Sequence, residues 1–136
     1  MNKQLEKVFH EFEQSAFWNF LGLELNELKE GFAKITLPIQ PSFINVKKSV
    51  HGGIYTSVLD TTMGIAARSL GFDEVVTLQM NVQFLQSIDN GVMYSEASVL
   101  NRTRSTALME GKLCDQEDNL IAHCTGTFKI SKVDKP

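Results

Sequence analysis

The residues best suited to chemistry fall in one stretch, "NVKKSVHGGIYTSVLDTTMG", residues 45–64. Asn45, His51, the pair Gly52–Gly53 and Asp60 interrupt or border an otherwise apolar run. A carboxylate in apolar surroundings is costly unless it is paired or used. From Gly53 to Asp60 is about two full turns of an α-helix, so both face the same way, roughly 10 Å apart along the axis. Gly53 falls at the predicted helix start, where backbone N–H groups lack partners and the helix dipole is positive. Such an end polarises a carbonyl and holds a developing oxyanion. Glycine also lets a ligand approach the backbone closely. An aspartate is ordinarily ionised at pH 7, so it can activate a water or attack a carbonyl itself.

Reacting atoms need to be about 3 to 3.5 Å apart, so Asp60 cannot reach a carbonyl held by its own Gly53. A two-fold dimer removes the conflict. If two such helices lie antiparallel, Asp60 of one faces Gly53 of the other, and symmetry generates two equal sites. Simpler readings of each residue stand beside this one. Asp60 can be a structural carboxylate bonded to a loop, His51 a helix cap or packing residue, and the glycine pair an ordinary loop.

The elements that must carry these residues follow from periodicity. Leu5, Val8, Phe9, Phe12 and Ala16 recur at helical spacing, predicting an amphipathic N-terminal helix within residues 1–20. Its aromatic stripe, ending in Phe17, Trp18 and Phe20, suits packing and also suits the wall of an acyl-chain pocket. Two strands follow, joined by a tight turn at Lys29–Glu30–Gly31 and ended by Pro38 and Pro41. A helix is predicted over 52–70, with Gly71 at the left-handed position that ends it. The remainder is β, with turns at Asp89–Asn90–Gly91, at "NRTR" and at Asp115 to Asn119. In the last strand Leu120, Ala122, Cys124, Gly126, Phe128 and Ile130 alternate with His123, Thr125, Thr127 and Lys129. Helix 52–70 is apolar on most sides, so it is buried on most sides. The sheet therefore wraps around it, an α+β architecture.

The whole chain narrows the class. Its 136 residues make one ordinary domain with a core large enough to need no staples. Hydrophobic content of 43% with 21% charged residues describes a globular protein. A net charge of −3 argues against general nucleic-acid or anionic-membrane binding. No apolar run reaches the ~18 residues of a membrane span, and the first residues lack a secretory apolar core. The expected address is the cytoplasm. Cys114 and Cys124 show no metal-ligand spacing and read as reduced core or near-core thiols.

With these residues in view, "HGGIYTSVLDTTMG" resembles the signature of the hotdog-fold acyl-CoA thioesterases of the phenylacetate-degradation type, including acyl-CoA thioesterase 13-like enzymes. Asn45, His51, Gly52, Gly53 and Asp60 fit the family spacing without a gap, and "VTLQMNVQFLQS" is similar to its next strand. The resemblance covers roughly residues 20–130. It implies the hotdog fold, an antiparallel sheet wrapped around a long central helix, in a homodimer and beyond it a homotetramer. It implies Asp60 as base or nucleophile and the Gly53 N–H on the thioester oxygen. Asn45 would orient water or the carbonyl, and His51 would support the thioester end. Thr77 matches a water-assisting hydroxyl when counted back from Asn81, yet falls one residue off when counted from Asp60. Gly52 and Asn81 would join the binding surface. Arg102, Arg104 and Ser105 would meet the CoA phosphates, with Lys47 and Lys48 as further cations; the simpler reading of "NRTRST" is a solvated turn.

The implied reaction is hydrolysis of an acyl-CoA thioester, with no metal and no cofactor apart from the coenzyme A of the substrate. Two alternatives share the fold: an acyl-thioester hydratase or dehydratase, and a non-catalytic acyl-CoA-binding protein. The position of the acid far down the helix fits hydrolysis better than α-proton chemistry.

Overall fold

The computed structural model describes residues 1–133. Two short helices come first, α1 (Lys3–Glu13) and α2 (Ala16–Leu21). Strands β1 (Glu24–Lys29) and β2 (Phe32–Pro38) lead through a short 3-10 turn, Pro41–Phe43, to α3 (Gly52–Arg68). Four strands follow: β3 (Glu74–Phe84), β4 (Val92–Arg102), β5 (Thr106–Cys114) and β6 (Leu120–Ser131). The six strands form one antiparallel sheet in the order β1-β2-β4-β5-β6-β3. It curves around α3, giving the hotdog arrangement expected.

The core lies between α3 and the concave face of the sheet. Val58, Leu59, Met63, Ile65 and Ala66 of α3 are fully buried against Ile35, Leu37, Met93, Met109, Leu113 and Phe128. Close approach at the sheet centre depends on missing side chains. A Cβ at Gly126 would lie 3.0 Å from Met63 Cε, and one at Gly111 would lie 3.1 Å from Leu59 Cδ2. The rotation of α3 about its axis is pinned by a buried polar contact. Ser95 Oγ on β4 donates to Thr62 Oγ1 at 2.8 Å, and Thr62 Oγ1 donates to Val58 O at 2.7 Å. Burying Thr62 on this side turns Asp60, two residues earlier, toward the less covered side.

Three expectations need correction. The N-terminal helical region is two helices, because Ser15 caps a new start: its Oγ accepts from Trp18 N at 3.5 Å. The aromatic stripe then folds back on itself, with Trp18 buried edge-to-face against Phe9 and Phe12. The central helix ends at Arg68, not Leu70. Ser69 Oγ donates to Ala66 O at 2.6 Å and accepts from Gly31 N at 2.8 Å, which locks the helix end to the β1–β2 turn. Gly71 does take the left-handed conformation, at φ 101°. In β6, Leu120 is exposed and Ile121 is buried, because the register with β5 shifts beside Cys114. From Ala122 onward the alternation follows the sequence pattern.

The two sheet edges differ. β1 is short, bulged at Asn26 and rich in charge. β3 runs 11 residues and exposes Val76 (54%) and Leu78 (57%). Charge and bulging discourage edge pairing, whereas a long apolar edge invites it.

Candidate active site

His51 is the N-cap of α3, and its Nδ1 accepts from Gly53 N at 2.8 Å. The expected oxyanion donor is thus bonded to the chain's own imidazole. With Nδ1 accepting, the proton of a neutral ring sits on Nε2. A Cβ at Gly53 would fall 2.9 Å from that Nδ1, so the cap requires glycine. Gly52 has a different neighbour: a Cβ there would meet the Phe84 ring at 3.1 Å. The helix tip opens on a cleft of about 310 Å³ lined by Phe17, Phe20, Ile44, His51, Gly53 and Ser57.

Two turns along the same face stands Asp60. Its Oδ1 accepts from Thr77 Oγ1 at 2.7 Å. The reach of Thr77 depends on a bulge. β3 pairs Thr77 with Phe128 and Gln79 with Thr127, leaving Leu78 as the extra residue. The bulge lets Thr77 face α3 while Met80 and Val82, of the opposite parity, also turn inward. Asp60 and Thr77 line a second cleft, of about 220 Å³, with Thr61, Gly64, Val75 and Phe128. Phe12, Ser15, Phe17 and Trp18 of the N-terminal helices form its other wall. Of the aromatic stripe, Trp18 is packed in the core and Phe17 lines both clefts.

The remaining candidates are placed apart. Asn45 Oδ1 accepts from Lys47 N at 2.9 Å and Ser49 N at 3.1 Å, shaping the loop before α3. Asn81 pairs with Thr125 and faces away from α3. Arg102 ends β4 with its guanidinium 5.0 Å from the Phe72 ring centroid. Arg104 and Ser105 lie in the exposed β4–β5 turn, where Ser105 N donates to Thr103 Oγ1 at 3.3 Å. Following the register Arg102–Ala107–Phe128–Thr77 gives three strand spacings, roughly 14 Å, between Arg102 and the Asp60 partner. Neither cleft on α3 includes Arg102, Arg104, Ser105 or Asn81. A larger concavity of about 620 Å³ lies on the outer sheet face beside Tyr94, Glu96 and Lys112, and holds none of the candidates.

Sequence reasoning passed over Ser57 and Gly64. Ser57 Oγ donates to Gly53 O at 2.8 Å, and Ser57 stands between Gly53 and Asp60 on one helical face. The spacing 53, 57, 60, 64 was available as a signal, since those positions share a stripe. Both thiols are free, Cys114 half-buried and Cys124 buried. Burial, with the Asp60 charge adding to it, pushes the Cys124 thiol up to about 11. Among the described residues no group of His, Cys, Asp and Glu is arranged to hold a metal ion. No described helix is long and apolar enough to cross a membrane.

Comparison with known proteins agrees with this fold. The family model described as Thioesterase superfamily matches residues 47–122, from the loop before α3 into β6. The acyl-coenzyme A thioesterase PaaI of Escherichia coli is 25% identical over 112 residues, covering 82% of this chain and 79% of that protein. A conserved protein of Pseudomonas aeruginosa superimposes with a TM-score of 0.80 at 33% identity, over 85% of this chain and 94% of that one. A Streptococcus pneumoniae hypothetical thioesterase, solved with coenzyme A, shares the fold with a TM-score of 0.85. It is 23% identical, over 93% of this chain and 99% of that one. The chain belongs to the Thioesterase superfamily and is a thioester hydrolase on the hotdog fold.

Proposed function

We propose that the protein hydrolyses an acyl-CoA thioester to free acid and coenzyme A, at sites shared between two copies of the chain. The observation that carries this reading is the Thr77–Asp60 hydrogen bond at 2.7 Å, in a cleft on the same helical face as Gly53. Holding Oδ1 leaves Oδ2 of the carboxylate for the reacting group. Asp60 removes a proton from water as the water oxygen attacks the thioester carbonyl. The oxyanion forms against the N–H of Gly53 on the partner helix. Collapse breaks the C–S bond, and the proton on Asp60 passes to the departing thiolate. In the alternative route Asp60 attacks the carbonyl, the C–S bond breaks and coenzyme A leaves as its thiolate; water then hydrolyses the mixed anhydride, regenerating the carboxylate and releasing the acid, with the proton of water passing to the thiolate.

The two clefts support the shared site. Within one chain the helix tip and the carboxylate line separate spaces, about two turns apart. An antiparallel second copy would bring them together, and the long apolar β3 edge beside Thr77 provides a surface for it. Oxyanion binding at Gly53 requires the His51 ring to share that N–H or to rotate away. His51 is then a positioning group, exchanging a cap for a substrate oxygen. Asn45, with its carbonyl oxygen taken by the loop, acts through its NH2. Lys47 and Lys48, on the loop leading into the helix tip, are nearer in the chain to the Gly53 cleft than Arg102, Arg104 and Ser105. The latter act from the partner subunit or serve the turn alone. The proposed reaction calls on no metal or redox cofactor, and its address in this reading is the cytoplasm.

Thiol release from acyl-CoA, followed for the wild type and Asp60→Asn, tests the reading. Loss of a general base lowers kcat by about 10²- to 10⁴-fold, with the dimer and melting temperature retained. Turnover within about threefold of wild type would exclude Asp60 as base or nucleophile.

A further inference from the structure

Gly64 has no structural reason to be glycine. Of the nine glycines, Gly22, Gly31, Gly71 and Gly91 have positive φ. Gly52, Gly53, Gly111 and Gly126 each have a neighbouring atom within 3.1 Å of where a Cβ would stand. Gly64 has neither: its backbone is helical, and a Cβ there would meet nothing within 4 Å. Glycine inside a helix is destabilising relative to alanine. The fold thus holds a weak helix former one turn beyond Asp60 and leaves the space above it open.

That space continues the Asp60 cleft. Asp60 and Gly64 are neighbours on one face of α3. Beyond Asp60 the walls are mostly apolar, formed by Val75 and Phe128 from the sheet and by Phe12, Phe17 and Trp18 from the N-terminal helices, with the hydroxyl residues Ser15 and Thr61 beside them. We infer that the acyl group of the substrate runs from Asp60 across Gly64, and that the absent side chain sets how long an acyl group the enzyme accepts. This deepens, and rests on, the acyl-CoA reading above. A side chain at position 64 would shorten this cleft, so the glycine favours longer acyl groups over short ones.

The test is a series of thiol-release assays on the full chain, with acetyl-, butyryl-, hexanoyl-, octanoyl-, dodecanoyl- and phenylacetyl-CoA. Wild type, Gly64→Ala and Gly64→Leu are compared, with melting temperature and sedimentation recorded for each. The wild type should turn over octanoyl-CoA with a higher kcat/KM than butyryl-CoA. In Gly64→Ala the ratio of octanoyl to butyryl kcat/KM should fall about tenfold, the effect of roughly 1.4 kcal/mol of lost fit. In Gly64→Leu it should fall further. Gly64→Ala should melt at or above the wild-type temperature, which separates a filled slot from a damaged fold. An unmoved ratio in Gly64→Ala overturns the inference and leaves the hydrolase reading intact. So does a variant that loses its dimer with the ratio unchanged, because the space then belongs to the partner chain. A wild type silent on every acyl-CoA overturns both.

Discussion

Mixing two inactive variants offers a direct test of the shared site. Asp60→Asn removes the carboxylate but keeps the helix tip. Gly53→Ala keeps the carboxylate but places a Cβ 2.9 Å from His51 Nδ1, displacing the cap and obstructing the approach of a substrate oxygen to that N–H. If each site takes Asp60 from one chain and Gly53 from the other, a heterodimer of the two variants has one site with both lesions and one with neither. Random assortment makes half the dimers heterodimers, each with one intact site of two, so the mixture should recover about one quarter of wild-type activity. The number depends only on symmetry and on which chain provides each group. A site within one chain predicts no recovery, since every chain carries a lesion. The two residues are about 10 Å apart along one helix, and reaction needs about 3 to 3.5 Å, which is why the proposal draws them from two chains. The assay is thiol release after co-refolding equal amounts of the two variants, with each alone as the floor. Activity that stays at that floor, while differently tagged chains co-purify, would refute the reasoning.

Two further outcomes follow from the same geometry. Thr77→Val deletes a hydrogen bond to a charged group, worth about 1.5–3 kcal/mol, which corresponds to about 10- to 150-fold in kcat/KM. Thr77→Ser should restore most of it, and in the Asp60→Asn background Thr77→Val should cost little, because the pair acts as a unit. Equal losses in both backgrounds, measured by steady-state thiol release, would separate Thr77 from Asp60. The Cys124 thiol titrates near 11 in the folded chain, above its ordinary value, so the folded state keeps a proton that the unfolded state loses first. Its contribution to stability is complete below about pH 9 and disappears as pH rises through 11. Melting temperature should therefore fall over that window, and fall less steeply in Cys124→Ala; identical slopes would assign the alkaline loss elsewhere.

Much of this molecule was legible in one dimension. The apolar run from Ile54 to Ala67 reads as a helix buried on most sides, because few arrangements other than an enclosing sheet can cover it. The turns at Gly31 and Gly91 are written in residue types that accept positive φ. The common face of Gly53 and Asp60 is arithmetic on 3.6 residues per turn. Such features depend on neighbours within a few residues, and local sequence encodes them.

Other features arose only when distant segments met. The Leu78 bulge forms because β3 must pair with β6 while Thr77 turns toward α3, and no local rule locates it. The open space above Gly64 is the clearest case. Glycine at that position reads in sequence as a small flaw in a helix, and it becomes the floor of a slot only where Val75, Phe128 and Phe12 converge around it. Periodicity and residue type set which faces must be buried, because those are properties of the chain itself. Tertiary packing decided which atoms meet and which space stays empty, because both depend on side chains brought together from separate elements.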